Sequence, residues 1–182
     1  EDAKATGMLG PAVLGDVTGN GDERAAAVLP VNFDIVGRDQ VEMVGSLIGY
    51  EGEIAILSAT TEAPDQNKWI VGMNETLKSD PKYAKMTLVA TVYGDDQPEK
   101  STAEMEALLA NYPNLKGVIA PTTVGIAAAA QVVQSRGLAE TVKVTGLGLP
   151  SEMRDFVKDG TVAAFQLWSP YNEGWLAVHF AK

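Results

Sequence analysis

Short apolar segments rich in β-branched residues alternate with longer segments of helical periodicity from residue 50 to the end of the chain. This alternation is typical of repeated strand–helix–strand units, with one strand at each short apolar segment. The predicted strands are 54–57, 87–92, 117–120, 142–145 and 162–168, and the predicted helices are about 33–48, 67–78, 99–111, 125–135, 151–158 and 169 to the end. Because such crossovers are right-handed, we predict an α/β fold with a doubly wound, mostly parallel sheet and helices on both faces.

The first 32 residues follow a different pattern. They are rich in glycine and proline, and only the short apolar segment 12–14 has the character of a strand. Glycine and proline at such density favour turns and loops over regular elements. We therefore interpret this part as a loop-rich segment that leads into the sheet, and not as a second folded domain.

Composition and charge limit the number of domains and the kinds of partner that we expect. The chain has 182 residues, of which 46% are hydrophobic, which is enough apolar material for one folded core. It carries 24 acidic and 14 basic residues, a net charge of −10. Nucleic acids and anionic membranes require a basic surface, so we expect neither as a partner. The longest uncharged segment, 117–135, is interrupted by Pro121 and Gly125, so we expect no insertion into a membrane.

Residues for catalysis and metal binding are scarce in the sequence. There is no cysteine, and the single histidine, His179, lies in an apolar helical segment without a nucleophile motif. The segment 16–22 begins like a calcium loop, but the twelfth position, which needs glutamate, is Ala27. No glycine-rich phosphate loop is present. We therefore expect no enzymatic activity, no cofactor and no bound metal.

Polar groups collect at the carboxyl ends of the predicted strands. In an open parallel sheet these ends share one edge, where ligands bind. The candidate ligand-binding residues there are Asp65, Gln66 and Asn67 after the first strand, Pro121, Thr122 and Thr123 after the third, and Trp168, Ser169 and Asn172 after the fifth. Planar polar side chains bind sugar hydroxyls, and an aromatic ring covers the apolar face of a sugar. We expect Asp65, Gln66, Thr123 and Trp168 to line one concavity that binds a polyol.

Several of these segments resemble the rhamnose-binding and autoinducer-binding branch of the periplasmic sugar-binding proteins of ABC importers. The resemblance runs from about residue 32 to the end of the chain. It rests on the loop 65–69 (Asp-Gln-Asn-Lys-Trp), the turn 121–125 (Pro-Thr-Thr-Val-Gly), and the segments 54–60, 89–96 and 153–168. The loop and the turn fall at matching strand ends, which makes the resemblance specific.

The resemblance implies roles for individual residues. Members of the family have two doubly wound lobes joined by a hinge, with the ligand clamped between the lobes. Asp65 and Gln66 would hydrogen-bond ligand hydroxyls, Asn67 would start the helix behind them, and Pro121 and Thr123 would contribute backbone and hydroxyl contacts. Asp16 would be the aspartate of the amino lobe that reaches the ligand. Ser169 stands where the family commonly has asparagine or aspartate.

The resemblance also implies a division of the chain. A full member is roughly twice as long as these 182 residues. We therefore interpret residues 1–31 as an amino-lobe remnant with the hinge and residues 32–182 as the carboxyl-terminal ligand-binding lobe, so that the chain is a fragment. Because the fragment would expose apolar surface where further segments pack, we expect it to self-associate.

The resemblance also implies a function, which we state as an expectation. It is the solute-binding component of an ABC sugar importer, periplasmic, which binds a small sugar such as rhamnose or an autoinducer-like ligand in an interlobe cleft. ABC permease subunits would be the partners of the full-length protein. An alternative is the ligand-sensing domain of a sugar-responsive transcription repressor, which shares the fold. A flavodoxin-like or receiver-type enzyme module is less consistent, because 58–61 (Ser-Ala-Thr-Thr) is not a glycine-rich loop.

Overall fold

The computed structural model describes residues 12–13, 27–28, 32–33, 35–167 and 169–180. The elements in chain order are β1 (Ala12–Val13), β2 (Ala27–Val28), α1 (Val36–Ile48), β3 (Glu51–Ser58), α2 (Pro64–Ser79), β4 (Lys85–Tyr93), α3 (Pro98–Asn111), β5 (Leu115–Ala120), α4 (Thr123–Ser135), β6 (Lys143–Gly146), α5 (Pro150–Lys158) and α6 (Pro170–Phe180). A short 3₁₀ helix, Pro81–Tyr83, joins α2 to β4. None of the described helices is long and apolar enough to cross a membrane.

The chain forms two compact units, Asp34–Leu167 and a smaller one made of Glu1–Phe33 with Trp168–Lys182. The larger unit is built on a parallel sheet in the order β4-β3-β5-β6. Every crossover in this sheet contains a helix, as parallel pairing requires. The predicted α/β fold with a doubly wound parallel sheet is therefore confirmed.

The two faces of the sheet pack against different helices. Ala55 and Leu57 of β3 belong to the large apolar cluster that includes α3 and α4 residues, whereas their neighbour Ile54 lies on the other face, beside α1. The helices α1 and α2 pack together so closely that a Cβ on Gly37 would lie 2.9 Å from the backbone nitrogen of Met73. Both faces are covered, which explains why the central strands contain the uninterrupted apolar runs 54–57 and 118–120.

The strand predicted at 162–168 is much shorter in the structure than the sequence pattern indicated. The described residues there form one isolated bridge, in which the Gln166 nitrogen donates to the Gly146 carbonyl oxygen at 2.7 Å and the Gly148 nitrogen donates to Gln166 at 2.9 Å. Because β6 ends at Gly146, it offers little backbone for a longer ladder. The sheet is therefore extended at this edge by one residue pair only.

The smaller unit contains β1, β2 and α6. The two short strands pair in parallel, Ala12 with Ala27 and Val13 with Val28. The strand predicted at 12–14 is thus confirmed for its first two residues, whereas β2 was not predicted. Residues 168–182 belong to this unit, although the resemblance implied that they are part of the carboxyl lobe. That 1–31 is an amino-lobe remnant with a hinge stays a prediction.

Candidate functional site

The sheet of the larger unit has a switch point between its two central strands. From β3 the chain crosses to β4 on one side, and from β5 it crosses to β6 on the other. Right-handed crossovers in opposite directions put α2 and α4 on opposite faces of the sheet. The loops that follow β3 and β5 then diverge and leave a crevice at the carboxyl edge, which is where open α/β sheets bind ligands.

The loop after β3 is held by its own side chains. The Asn67 side-chain amide donates to the Thr61 carbonyl oxygen at 2.8 Å, which closes the loop onto the first turn of α2. Pro64 occupies the first helical position, and Asp65 follows it as an acidic residue of the first turn. The Asp65 side chain is buried at the start of α2. Asn67 therefore organises the loop, and Asp65 stands at the crevice end of the helix.

Gln66 reaches across the crevice to the loop after β5. Its Nε2 atom lies 3.5 Å from the carbonyl oxygen of Pro121, a residue 55 positions later in the chain. This contact joins the two loops although α2 and α4 lie on opposite faces of the sheet. The structure therefore brings together Gln66 and Pro121, both of which were expected at the site.

Thr122 forms a second link at this edge, to the loop after β4. Its hydroxyl donates to the Asp96 carboxylate, and its own carbonyl oxygen accepts from the Ile126 nitrogen at 3.0 Å as the cap residue of α4. Asp95 and Asp96 both have positive φ angles, 53° and 52°, which non-glycine residues seldom adopt. Asp96 was not predicted as a site residue. Its position at a strand end was the signal available in the sequence.

The start of α4 lies close to β3. Thr123 is the first residue of this helix and is half-buried. A Cβ on Gly125 would lie 3.2 Å from the Leu57 carbonyl oxygen, so only glycine lets the helix begin this near the strand. The first N–H groups of a helix have no acceptor within the helix and can donate to a ligand. The Thr123 end of α4 thus adds backbone donors to the crevice.

Gln166 is a candidate that the sequence analysis missed. It pairs with Leu147 just beyond the end of β6, at the same edge of the sheet. Its Oε1 atom is buried and accepts no hydrogen bond from the residues that the structure describes. The only signal for it in the sequence was its place near the end of the predicted fifth strand.

Comparison with known proteins decides the family. The sequence model described as a periplasmic binding protein domain matches residues 1–182. The chain belongs to the periplasmic binding protein family. This domain is 41% identical to a sugar ABC transporter from Actinomyces odontolyticus, with a TM-score of 0.83. The match covers 99% of this chain and 57% of that protein.

Two further solved relatives carry bound sugars. A solute-binding protein of an ABC transporter from Clostridium phytofermentas, determined with bound L-rhamnose, is 38% identical with a TM-score of 0.89. The match covers 99% of this chain and 56% of that protein. A solute-binding protein from Burkholderia graminis, in complex with D-arabinose, is 26% identical with a TM-score of 0.84, over 98% of this chain and 61% of the relative. The periplasmic binding protein domain thus spans little more than half the length of these relatives.

Four predicted site residues of the domain remain, and of these the structure describes Ser169 and Asn172, which belong to the smaller unit. Asp16 and Trp168 lie outside the described residues, and their ligand contacts stay predictions. Ser169 precedes α6, and its hydroxyl accepts from the backbone nitrogen of Asn172 at 3.3 Å, which is the geometry of a helix cap. Both Ser169 and Asn172 are exposed. The structure therefore gives Ser169 a local role at the start of a helix.

The described residues of this domain show no metal site and have a pocket away from the crevice. Those residues hold no group of three or more histidine, cysteine, aspartate or glutamate side chains placed for a metal. The calcium-like loop 16–22 lies outside the described residues. A pocket of about 430 Å³ lies at the opposite edge of the sheet, where β5 and β6 begin, and includes Tyr112, Lys116 and Arg136. Arg136 is paired with Glu106, which offsets the positive charge there.

Proposed function

We propose that this chain is part of the solute-binding component of an ABC sugar importer and that the crevice between β3 and β5 binds a small sugar. The more similar of the two sugar-bound relatives described above was determined with L-rhamnose, which supports rhamnose or a related autoinducer-like ligand as the proposed solute. A periplasmic location and ABC permease subunits as partners of the whole protein belong to the same proposal. The role is one of binding and release without chemical conversion.

The groups at the crevice suit a sugar. The Asp65 carboxylate accepts hydrogen bonds, the Gln66 amide both donates and accepts, and the first N–H groups of α4 donate. Sugar hydroxyls need donors and acceptors within a short distance, because each hydroxyl both gives and takes a hydrogen bond. With these groups a polyol can exchange its hydrogen bonds to water for hydrogen bonds to the protein.

The contact between Gln66 and Pro121 is the observation that carries the proposal. It is made by two loops that follow neighbouring central strands, and its length of 3.5 Å leaves the Gln66 amide free to rotate toward a stronger acceptor. The same edge holds the buried Asp65. A carboxylate and a carboxamide at the start of α2 support a sugar site at this edge, where open parallel sheets bind ligands.

The experiment is an NMR titration of the 182-residue chain, which measures affinities down to the millimolar range. L-rhamnose and D-arabinose are the test ligands, and L-leucine is the control solute. The variant Asp65→Asn removes the charged acceptor at the crevice. Its matched control is Asp155→Asn, the same change on an exposed position of α5.

We expect a sugar to shift resonances of the loops after β3 and β5, whereas L-leucine leaves them unchanged. Loss of a charge-assisted hydrogen bond of about 1.5–3 kcal/mol should weaken sugar binding by about tenfold or more in Asp65→Asn. Asp155→Asn should bind like the wild type. Shifts confined to the amino edge of the sheet, or equal affinities for all three solutes, would contradict the proposal.

A further inference from the structure

Three side chains below the crevice have buried polar atoms without a hydrogen-bond partner among the residues that the structure describes. Gln40 on α1 is completely buried, and within the described part of the chain neither its Nε2 nor its Oε1 atom has a hydrogen-bond partner. The Ser58 hydroxyl at the end of β3 is also completely buried and unpartnered, and Gln166 contributes its Oε1 atom. Native proteins pair the great majority of such atoms with protein groups or ordered water. These three side chains therefore need a partner.

Neighbouring contacts fix the position of Gln40. The Val44 side chain packs against Gly117 of β5, and the Met43 sulfur lies 2.7 Å from the Thr145 hydroxyl of β6. The helix α1 runs antiparallel to the strands, because β3 begins almost directly after α1 ends. One helical turn before Val44, about 6 Å along the axis, corresponds to about two strand residues. Gln40 therefore lies level with Ile119, just inside the carboxyl edge.

Ser58 and Gln166 share this face of the sheet. Side chains alternate along a strand, so Ser58 lies on the same face as Ile54, which is beside α1. Gln166 lies beside Leu147, two residues after Thr145, whose hydroxyl contacts α1 and donates to the Ala164 carbonyl oxygen at 2.9 Å. The three unpartnered side chains thus flank one layer between α1 and the carboxyl ends of the strands.

We propose that Gln40, together with Ser58 and Gln166, holds ordered water beneath the crevice, and that this water hydrogen-bonds the deepest hydroxyl of the bound ligand. A buried water makes about three hydrogen bonds to polar groups that lack other partners. The Gln40 amide supplies a donor and an acceptor at the centre of the layer, and the partly exposed Gln166 stands at its open end. The ligand role of the water rests on the proposed sugar-binding function.

This arrangement makes Gln40 a positioning residue for specificity. It does not touch the ligand, but it orients the water that does. A water-mediated hydrogen bond is nearly as favourable as a direct one. A sugar with a hydroxyl at the deepest position keeps that bond, whereas a sugar without the hydroxyl leaves the water unpaired on one side. The preference for sugars that have this hydroxyl then depends on Gln40, and a change at Gln40 would alter it without altering the surface of the crevice.

The test compares Gln40→Met with Gln131→Met, the same change at an exposed position of α4. Crystal structures of ligand-free wild type and Gln40→Met, at a resolution that shows water, give the first result. We expect water within 2.7–3.2 Å of the Gln40 amide in the wild type and none there in Gln40→Met. The melting temperature should be unchanged or higher in Gln40→Met, because the variant replaces the amide and the water that it holds by one apolar side chain.

The NMR titration with L-rhamnose gives the second result. Loss of one net hydrogen bond should weaken binding in Gln40→Met by about three- to tenfold, with no change in Gln131→Met. A dry layer in the wild-type structure, or a direct protein partner for the Gln40 amide, would overturn the proposal. Equal affinity in Gln40→Met, or a fall in melting temperature that accounts for the lost affinity, would overturn the ligand role. A wild type that binds no sugar while the water is present would refute the proposed function and leave only the water site.

Discussion

Replacement of Glu42 by glutamine should destabilise the protein in a pH-dependent way. The Glu42 carboxylate on α1 accepts hydrogen bonds from the Tyr50 hydroxyl at 2.8 Å, the Tyr83 hydroxyl at 2.6 Å and the Lys82 ammonium at 2.7 Å. The Lys82 ammonium also lies 4.4 Å from the centre of the Tyr50 ring. This cluster ties α1 to the 3₁₀ helix that precedes β4, at the edge opposite the crevice.

The magnitude follows from the pKa of the Glu42 carboxyl. The hydrogen bond from Lys82, followed by those from Tyr83 and Tyr50, lowers this pKa from 4.5 to about 2. Each pKa unit corresponds to about 1.36 kcal/mol, so without solvent screening the ionised Glu42 would stabilise the folded protein by at most about 3.4 kcal/mol. Because 42% of the Glu42 side chain is exposed, solvent screening reduces the expected contribution to about 1–1.5 kcal/mol.

The pKa of Glu42 also determines how its contribution to stability changes with pH. Since the folded-state pKa of Glu42 lies below its unfolded value, the stabilisation is fully present above about pH 4.5 and is lost as the pH falls toward 2. Burial raises the pKa of Tyr83 to about 12, so its hydroxyl remains a donor over this whole range. The difference in unfolding free energy between wild type and Glu42→Gln should therefore shrink as the solution is acidified.

The assay is urea unfolding at pH 7 and at pH 2.5 for wild type, Glu42→Gln and the control Glu51→Gln. Glu51 pairs with Lys85 at 3.1 Å, but both side chains are at least two-thirds exposed. The control Glu51→Gln should therefore lower the unfolding free energy by less than about 0.5 kcal/mol. A loss in Glu42→Gln that is the same at both pH values, or no larger than in the control, would refute the reasoning.

Three further predictions concern packing, the crevice and affinity. In urea unfolding, Gly37→Ala should lower the unfolding free energy by about 1–3 kcal/mol, because its Cβ would meet the Trp69 carbonyl oxygen. Gly72→Ala in the same interface should raise the unfolding free energy by about 0.5–1 kcal/mol, because its Cβ would lie 3.8 Å from the Gly37 Cα, an ordinary contact distance. Thr122→Val should cost about 1 kcal/mol, since it removes the hydrogen bond to Asp96; an unchanged midpoint would show that this bond contributes nothing. In NMR titration the 182-residue chain should bind L-rhamnose with an affinity of only about millimolar, because one wall satisfies only part of the ligand's hydroxyls. Micromolar binding by a verified monomer would contradict this.

The order of elements in the larger unit could be predicted because each strand and helix is marked by the apolar pattern of its own residues. Strands buried on both faces consist of short apolar segments, and the helices between them have apolar residues at helical spacing. The predicted helix starts were late by one to three residues where proline begins the helix, as at Pro64, Pro98 and Pro150. Proline favours the first helical position because its nitrogen needs no acceptor there, so these helices begin at the proline and before the first apolar residue of the helical pattern.

The candidate site was predictable only as a set of strand ends. Which side chains meet depends on contacts distant in sequence, such as Gln66 with Pro121, 55 residues apart, and Thr122 with Asp96, 26 residues apart. No local pattern specifies these pairs. Gln40 was missed for a related reason. A single glutamine on the apolar face of a helix only weakens the periodicity, and its complete burial is set by the sheet that α1 covers.

The structure divides the polar residues at the carboxyl edge into two groups. Asn67 and Thr122 hold the loops, because their side chains are engaged with the Thr61 carbonyl oxygen and the Asp96 carboxylate. Gln66 makes only a long contact, which a ligand oxygen at ordinary hydrogen-bond distance would replace at little cost. Loops that are fixed before the ligand arrives need not be ordered during binding, so more of each ligand hydrogen bond contributes to affinity. Changes in the first group should therefore act on stability, and changes at Gln66 should act on the ligand.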